Sequence, residues 1–224
     1  MGNNVTRRGL FRNTAVGVAA VGGAAVLKPI RNAIAETPAQ GLGPFFPTDI
    51  GSDLLIKGAG APMAKGQVIR VQGTVRNEKG DALPGAVIEL WQADENGKYN
   101  HPADPLQITP DENFQFWGRT VTGLSGAYSF RTIKPGSYPA DANWTRPPHL
   151  HFKISLRGYY ELVTQMYFEG EVLNGDDNIL QNIPTTKHSE VVIPFAPTTT
   201  QSKPGVNDLL GVFDIELKRV DSSS

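Results

Sequence analysis

The stretch "RPPHLHFKI", residues 146–154, places His149 and His151 two apart in a run that alternates like a β-strand. Side chains at i and i+2 of a strand share a face, so the two imidazoles stand about 7 Å apart at Cα and point the same way. That span suits two ligands meeting on one metal ion. Pro147 and Pro148 stiffen the approach to the strand. A pair of this kind also fits two packed or simply polar histidines, so a metal reading needs further donors. The chain contains no cysteine, which excludes thiolate metal sites, a disulfide framework and a cysteine nucleophile. Carboxylates are plentiful and would serve an oxygen-rich iron, manganese or zinc site. Tyrosine is the other oxygen donor. Tyr99 stands in "ENGKYNHP" and Tyr138 in "KPGSYPA", each just after a turn, where a phenol can reach inward without occupying the packed core. Taken singly, each fits a half-buried loop aromatic equally well. His101, beside Pro102, reads as a loop side chain, and His188, in "TTKHSE", as a solvated turn residue.

The elements that must position these side chains are short. From Gln67 onward "QVIRVQGTVR", "AVIELWQAD", "GAYSFRTI", "HLHFKISL", "LVTQMYF", "EVVIPF" and "GVFDIELKRV" read as strands. Between them lie turn signals such as "NEKGDALPG" and "ENGK", with "KPGSYPAD" as a loop. No segment carries a long amphipathic helix pattern. Short, regularly spaced strands with Gly/Pro turns predict an all-β fold, an antiparallel β-sandwich of the transthyretin or immunoglobulin kind. Residues 94–120 read as a long irregular loop, and such loops on a rigid sandwich tend to carry function. Residues 36–65 are rich in Gly and Pro and read as an extended N-terminal arm, with the sandwich itself over 66–224. "GAGAPMAKG" lacks the ending a phosphate loop needs.

Residues 1–35 read as a targeting segment. Arg7 and Arg8 stand together, an apolar run rich in Ala, Gly and Val covers residues 15–27, and "AIA" at 33–35 supplies small residues for cleavage. The paired arginines point to a twin-arginine signal, hence to export to the periplasm or beyond. The alternative is an N-terminal anchor or amphipathic tail. The whole chain has 21 basic and 22 acidic residues. Without the leader, 16 basic residues face 22 acidic ones, a net charge of −6. No basic stripe recurs beyond the first thirty residues, which argues against a nucleic-acid partner.

Several blocks in order resemble the intradiol ring-cleaving dioxygenases: "LPGAVIELWQADENGKYNHP", "GAYSFRTIKPGSYP", "RPPHLHFKI" and "LVTQMYFEGE", preceded by "TPAQGLGPFFP" where the family has its N-terminal arm. They are most similar to the iron-bearing subunit of protocatechuate 3,4-dioxygenase. The resemblance implies a non-haem Fe(III) held by Tyr99, Tyr138, His149 and His151. Tyr99 and His151 would be equatorial, Tyr138 and His149 axial, with a solvent hydroxide as fifth ligand. Two phenolates and a hydroxide balance three positive charges without a carboxylate, and a trivalent cation is what would ionise phenols of ordinary pKa near 10. The implied substrates are a catechol and O2, and the implied product is a muconate-type diacid. Tyr138 would be displaced and act as base, Arg146 would stabilise negative charge on the ring, and Gln165 would stand behind that arginine.

The resemblance departs at two places. Ala140 stands where protocatechuate enzymes carry tryptophan, and Phe46 where many relatives carry tyrosine, so the identity of the catechol stays open. Catechol and hydroxyquinol dioxygenases usually have a long helical N-terminal domain, for which residues 36–65 leave no room. A homo-oligomer or a paired subunit is compatible with the family, and stable membrane insertion after leader removal is not expected. The competing readings are a non-catalytic transthyretin-like binding module and a periplasmic zinc- or copper-binding protein using the same histidines.

Overall fold

The computed structural model describes residues 40, 54–57, 60–198 and 208–220. The expected leader over 1–35 and most of the expected arm, Phe46 included, lie outside them. In chain order the strands are β1 (Val68–Asn77), β2 (Val87–Trp91), β3 (Trp117–Val121), β4 (Ala127–Ile133), β5 (Tyr138–Pro139), β6 (Thr145–Arg146), β7 (His149–Ser155) and β8 (Leu162–Phe168). A 3-10 turn (Val172–Asp176), the one-turn helix α1 (Asn178–Gln181) and a second 3-10 turn (Thr185–Glu190) follow. The chain then forms β9 (Val192–Ile193), β10 (Phe195–Pro197), β11 (Leu209–Val212) and β12 (Ile215–Leu217).

Alternation decides which way each strand faces. In β1, Ile69, Val71 and Val75 are buried while Gln72 and Arg76 are exposed. One sheet runs β10-β11-β1-β12, with β4 also antiparallel to β1; the other runs β3-β2-β7-β8-β9. Most pairs are antiparallel, but β11 and β12 pair with β1, and β9 with β8, in parallel. The sandwich is therefore mixed: short C-terminal strands add in parallel, β12 and β9 at sheet edges and β11 between β10 and β1. Between the sheets, Phe152 of β7 meets Tyr128, Phe130 and Phe213 at ring-centroid distances of 6.4, 6.3 and 5.1 Å. Burying such a ring is worth about 1.5–3 kcal/mol.

The structure amends the expected loops. Residues 94–116 are irregular, but residues 117–120, expected to continue that loop, begin β3, which pairs with β2 from Val87↔Val121 to Trp91↔Trp117. Phe116, at φ 59°, turns the chain into it. "KPGSYPAD" contains β5, which forms a small ribbon with β6. Where the arm is described, Leu54 and Leu55 are buried in the core. Leu54 lies where a Cβ on Gly118 would sit, 2.6 Å from its Cδ1, so the missing side chain in β3 makes room for it. Among the described residues no helix is long and apolar enough to cross a membrane.

Candidate metal centre

Because β7 alternates, Leu150, Phe152 and Ile154 enter the core, and His149 and His151 stand on the opposite face of the sheet. Register then sets their neighbours. His151 lies opposite Trp91 of β2 on one side and Gln165 of β8 on the other; His149 lies opposite Tyr167. Trp91 stacks on His151 at 4.9 Å and 11° between planes, which fixes the imidazole's tilt.

Two loops cover this end of the sheet and bring the phenols. Tyr99 follows a turn organised by Asp94, whose fully buried carboxylate accepts from the amides of Asn96, Lys98 and Asp111 at 2.9, 3.1 and 3.0 Å. The Tyr99 amide donates to Asp104 Oδ2 at 2.6 Å, and Asp104 also pairs with Lys98 at 3.2 Å. Tyr138 comes from β5, directly opposite Arg146 of β6. The two loops touch backbone to backbone, since the Gly136 amide donates to the Asp94 carbonyl at 2.8 Å.

The four side chains converge. Ring centroids lie 5.5 Å apart for Tyr99 and Tyr138, 6.3 Å for Tyr99 and His151, 5.7 Å for Tyr138 and His149, and 4.9 Å for the two histidines. All four are buried, none more than 7% exposed. Among the described residues no group of three His, Cys, Asp or Glu side chains gathers around a point; the oxygens that the two loops bring beside the histidine pair are phenolic.

The chain is similar to known proteins. A family model described as Dioxygenase matches residues 43–218. The chain belongs to the intradiol dioxygenase family. The beta chain of protocatechuate 3,4-dioxygenase from Burkholderia cepacia is 39% identical over 164 residues, 70% of this chain and 67% of that one. Chlorocatechol 1,2-dioxygenase from Rhodococcus opacus is 33% identical over 171 residues, covering 68% and 62%. The crystal structure of catechol 1,2-dioxygenase from Pseudomonas arvilla C-1 superposes with a TM-score of 0.66 at 26% identity, covering 83% of this chain and 63% of that one. The chain thus spans about two thirds of the length of each.

In this member of the intradiol dioxygenase family, the electrostatics around the four rings follow from burial. Burial pushes the Tyr99 phenol well above its ordinary range, and the neighbouring Tyr138 adds to this. Tyr138 is also raised by burial, but the Arg146 guanidinium beside it pulls the other way. Both imidazoles are held neutral by burial, with Arg146 adding to the effect. Neutral imidazoles keep lone pairs. Since the Pro147 carbonyl can only accept, His149 Nδ1 donates to it at 2.7 Å and Nε2 carries the lone pair. Among the described residues His151 Nδ1 is buried without a hydrogen-bond partner, which costs about 1–3 kcal/mol for a group removed from water.

Arg146, expected beside the histidines, is buried and lies 3.1 Å from His149 Nε2 through Nη1. Gln165 accepts from Arg146 Nη2 at 2.9 Å. Ala140 is exposed at the end of the ribbon and donates its amide to the Trp144 carbonyl at 2.8 Å. His101 stays in its loop, its Nδ1 accepting from the Ala103 amide. His188 is half-buried rather than solvated, with Nε2 3.1 Å from the Ile183 carbonyl oxygen. Three polar residues went unnoticed in the sequence. Asp177 forms a buried ion pair with Arg146 at 2.9 Å, Tyr167 accepts from the same guanidinium at 3.1 Å, and Gln40 of the arm accepts from the Tyr167 hydroxyl at 3.0 Å. Tyr167 had a signal: two residues after Gln165, it must share its face.

Proposed function

We propose that the chain uses O2 to cleave a catechol-type ring between its two hydroxyl-bearing carbons, giving a muconate-type diacid, with Tyr99, Tyr138, His149 and His151 holding a non-haem Fe(III). The observation that carries this reading is the convergence of two phenols on two neutral imidazoles beside a buried guanidinium. The donor set fits a hard trivalent ion: both phenols stay protonated in their buried setting unless a cation ionises them, and His151 is short of a partner. When bound, ferric iron supplies the charge that ionises the phenols and accepts electron density from a catecholate, which opens the ring to O2.

The chain's own residues then have distinct tasks. The Tyr138 oxygen takes a proton from the incoming catechol; it sits on a two-residue strand of a small ribbon, opposite Arg146. Tyr99, held by Asp104 through its amide, keeps its place. Pro147 and Trp91 hold the imidazoles in orientation. Arg146 stabilises negative charge developing on the ring. The two arginines at positions 7 and 8 support export by the twin-arginine route, with the enzyme working in the periplasm or outside the cell.

The test is reconstitution with iron, followed by visible absorption and oxygen uptake with catechol, protocatechuate and hydroxyquinol. A phenolate-to-iron charge-transfer band and oxygen uptake matched by a ring-opened diacid are expected. A preparation that stays colourless after iron loading and consumes no oxygen with any of the three would overturn the proposal.

A further inference from the structure

Arg146 presents five N–H donors in a fixed plane, and the structure divides them unevenly. Asp177, fully buried, takes one edge as a fork: Oδ2 accepts from Nε at 2.9 Å and Oδ1 from Nη2 at 3.2 Å. Nη2 also donates to Gln165 Oε1 at 2.9 Å and to the Tyr167 oxygen at 3.1 Å. Acceptors therefore crowd the Nε and Nη2 edge. The remaining nitrogen, Nη1, faces the histidines, 3.1 Å from His149 Nε2. A lone pair cannot serve an N–H and a metal ion together, so a metal held by His149 Nε2 would free Nη1 toward the other groups of the site.

Asp177 is itself fixed from behind. Its Oδ1 accepts from the amides of Ile179 and Leu180 at 3.1 and 2.8 Å, capping α1. Leu180 then packs with Tyr167, Ile183 and Val191. The fork is thus tied to a helix start and to the outer face of β8, two elements that carry none of the four converging rings.

We propose that Asp177 is a positioning residue that aims Arg146: by gripping the Nε and Nη2 edge it leaves Nη1 as the nitrogen that serves the site and can release His149 Nε2. This rests on the catechol dioxygenase reading. The bland alternative is that Asp177 only caps α1. Asp177→Asn separates the two, because asparagine caps a helix about as well as aspartate but removes the charge that grips the guanidinium.

The first measurement needs no metal. In proton–nitrogen NMR of the metal-free protein, the Arg146 Nε–H signal, assigned by its loss in Arg146→Ala, should be resolved and slow to exchange. In Asp177→Asn it should exchange faster with solvent, and the melting temperature should fall, because the buried guanidinium loses its counter-charge; a residue that only caps α1 would change neither. The second is a double-mutant cycle on iron-loaded protein. Asp177→Asn should lower kcat about tenfold in the native background and leave the kcat of Arg146→Ala unchanged. An unaltered Nε–H signal, or an equal fold-loss in both backgrounds, would overturn the proposal. Should Asp177→Asn fail to fold, Asp177→Glu keeps the charge while displacing the fork, and the same two measurements apply. If the native protein consumes no oxygen with any catechol, the functional reading falls, whereas the aiming of Arg146 stands or falls on the Nε–H signal.

Discussion

Two phenols with similar surroundings are assigned unequal roles, and a single oxygen atom separates them in experiment. Tyr138 faces Arg146 and is pulled toward ionisation by it; Tyr99 lies deeper, where burial and Tyr138 outweigh the pull of the same guanidinium. Removing the Tyr138 hydroxyl as Tyr138→Phe should leave three donors and measurable iron, while kcat for oxygen uptake falls about 10²-fold through loss of the base. Iron content and steady-state kinetics on one preparation check this; normal turnover by the phenylalanine variant would remove Tyr138 from proton transfer. How legible these residues were varies with the kind of signal each leaves. The histidine pair announced itself by spacing, since strand alternation forces i and i+2 to one face. The tyrosines carried no such mark, and only the ordered blocks around them singled them out. Asp177 lies in "NGDDNIL", where nothing distinguishes a buried aspartate from its exposed neighbour Asp176. Its role exists only once α1 and Arg146 are brought together in space.

The loops that carry the tyrosines behave as one element, because their backbones are in contact without side chains between them. A Cβ on Gly136 would lie 2.5 Å from the Glu95 carbonyl oxygen and 2.6 Å from the Gly97 nitrogen. A Cβ on Gly97 would collide with the Ser137 carbonyl, and Gly97 also holds φ at 77°, which only glycine adopts without strain. Gly136→Ala should therefore push the loops apart, costing about 1–3 kcal/mol in urea unfolding and lowering bound iron. Gly123→Ala, with nothing within 4 Å of its added methyl, is the control, expected within about 0.5 kcal/mol of the native protein. Equal effects from both would mean that loop contact does not set the site. On the arm side, Gln40 donates from Nε2 to the Gln165 carbonyl at 3.3 Å and accepts from Tyr167. Gln40→Ala should cost about 1 kcal/mol in the same unfolding measurement, and no loss would detach the arm from the site. Strand β8, buried along nearly its whole length, reads as a short apolar run with β-branched and aromatic residues. The long strands β1, β4 and β7 were legible because alternation persists over seven or more residues. The ribbon of β5 and β6 was not, since two-residue strands have no period to read, and β3 was hidden at the end of an irregular stretch.

At the scale of the whole molecule, the sandwich closes around a buried hydrogen bond whose strength depends on pH. The Tyr128 hydroxyl of β4 donates to the Phe213 carbonyl at 2.6 Å, joining β4 to the link between β11 and β12. Gly73 of β1 permits this closure, since a Cβ there would strike the same carbonyl. Burial, with Asp214 adding to it, holds the Tyr128 pKa well above its ordinary value. In the unfolded chain the phenol titrates near pH 10. Below that, both states keep the proton and the full contribution is present. Above it, the unfolded state sheds its proton while the folded state retains it, so stability declines by about 1.4 kcal/mol per pH unit until the folded phenol also titrates. Tyr128→Phe removes the hydrogen bond and the titration together. It should be about 1 kcal/mol less stable than the native protein near neutrality, and this gap should close and then reverse above about pH 10 to 11. Tyr99, Tyr138 and Tyr167 titrate in both proteins, so the difference between two urea-unfolding series isolates Tyr128. A gap that stays constant across the alkaline range would show that its proton is not held by the fold.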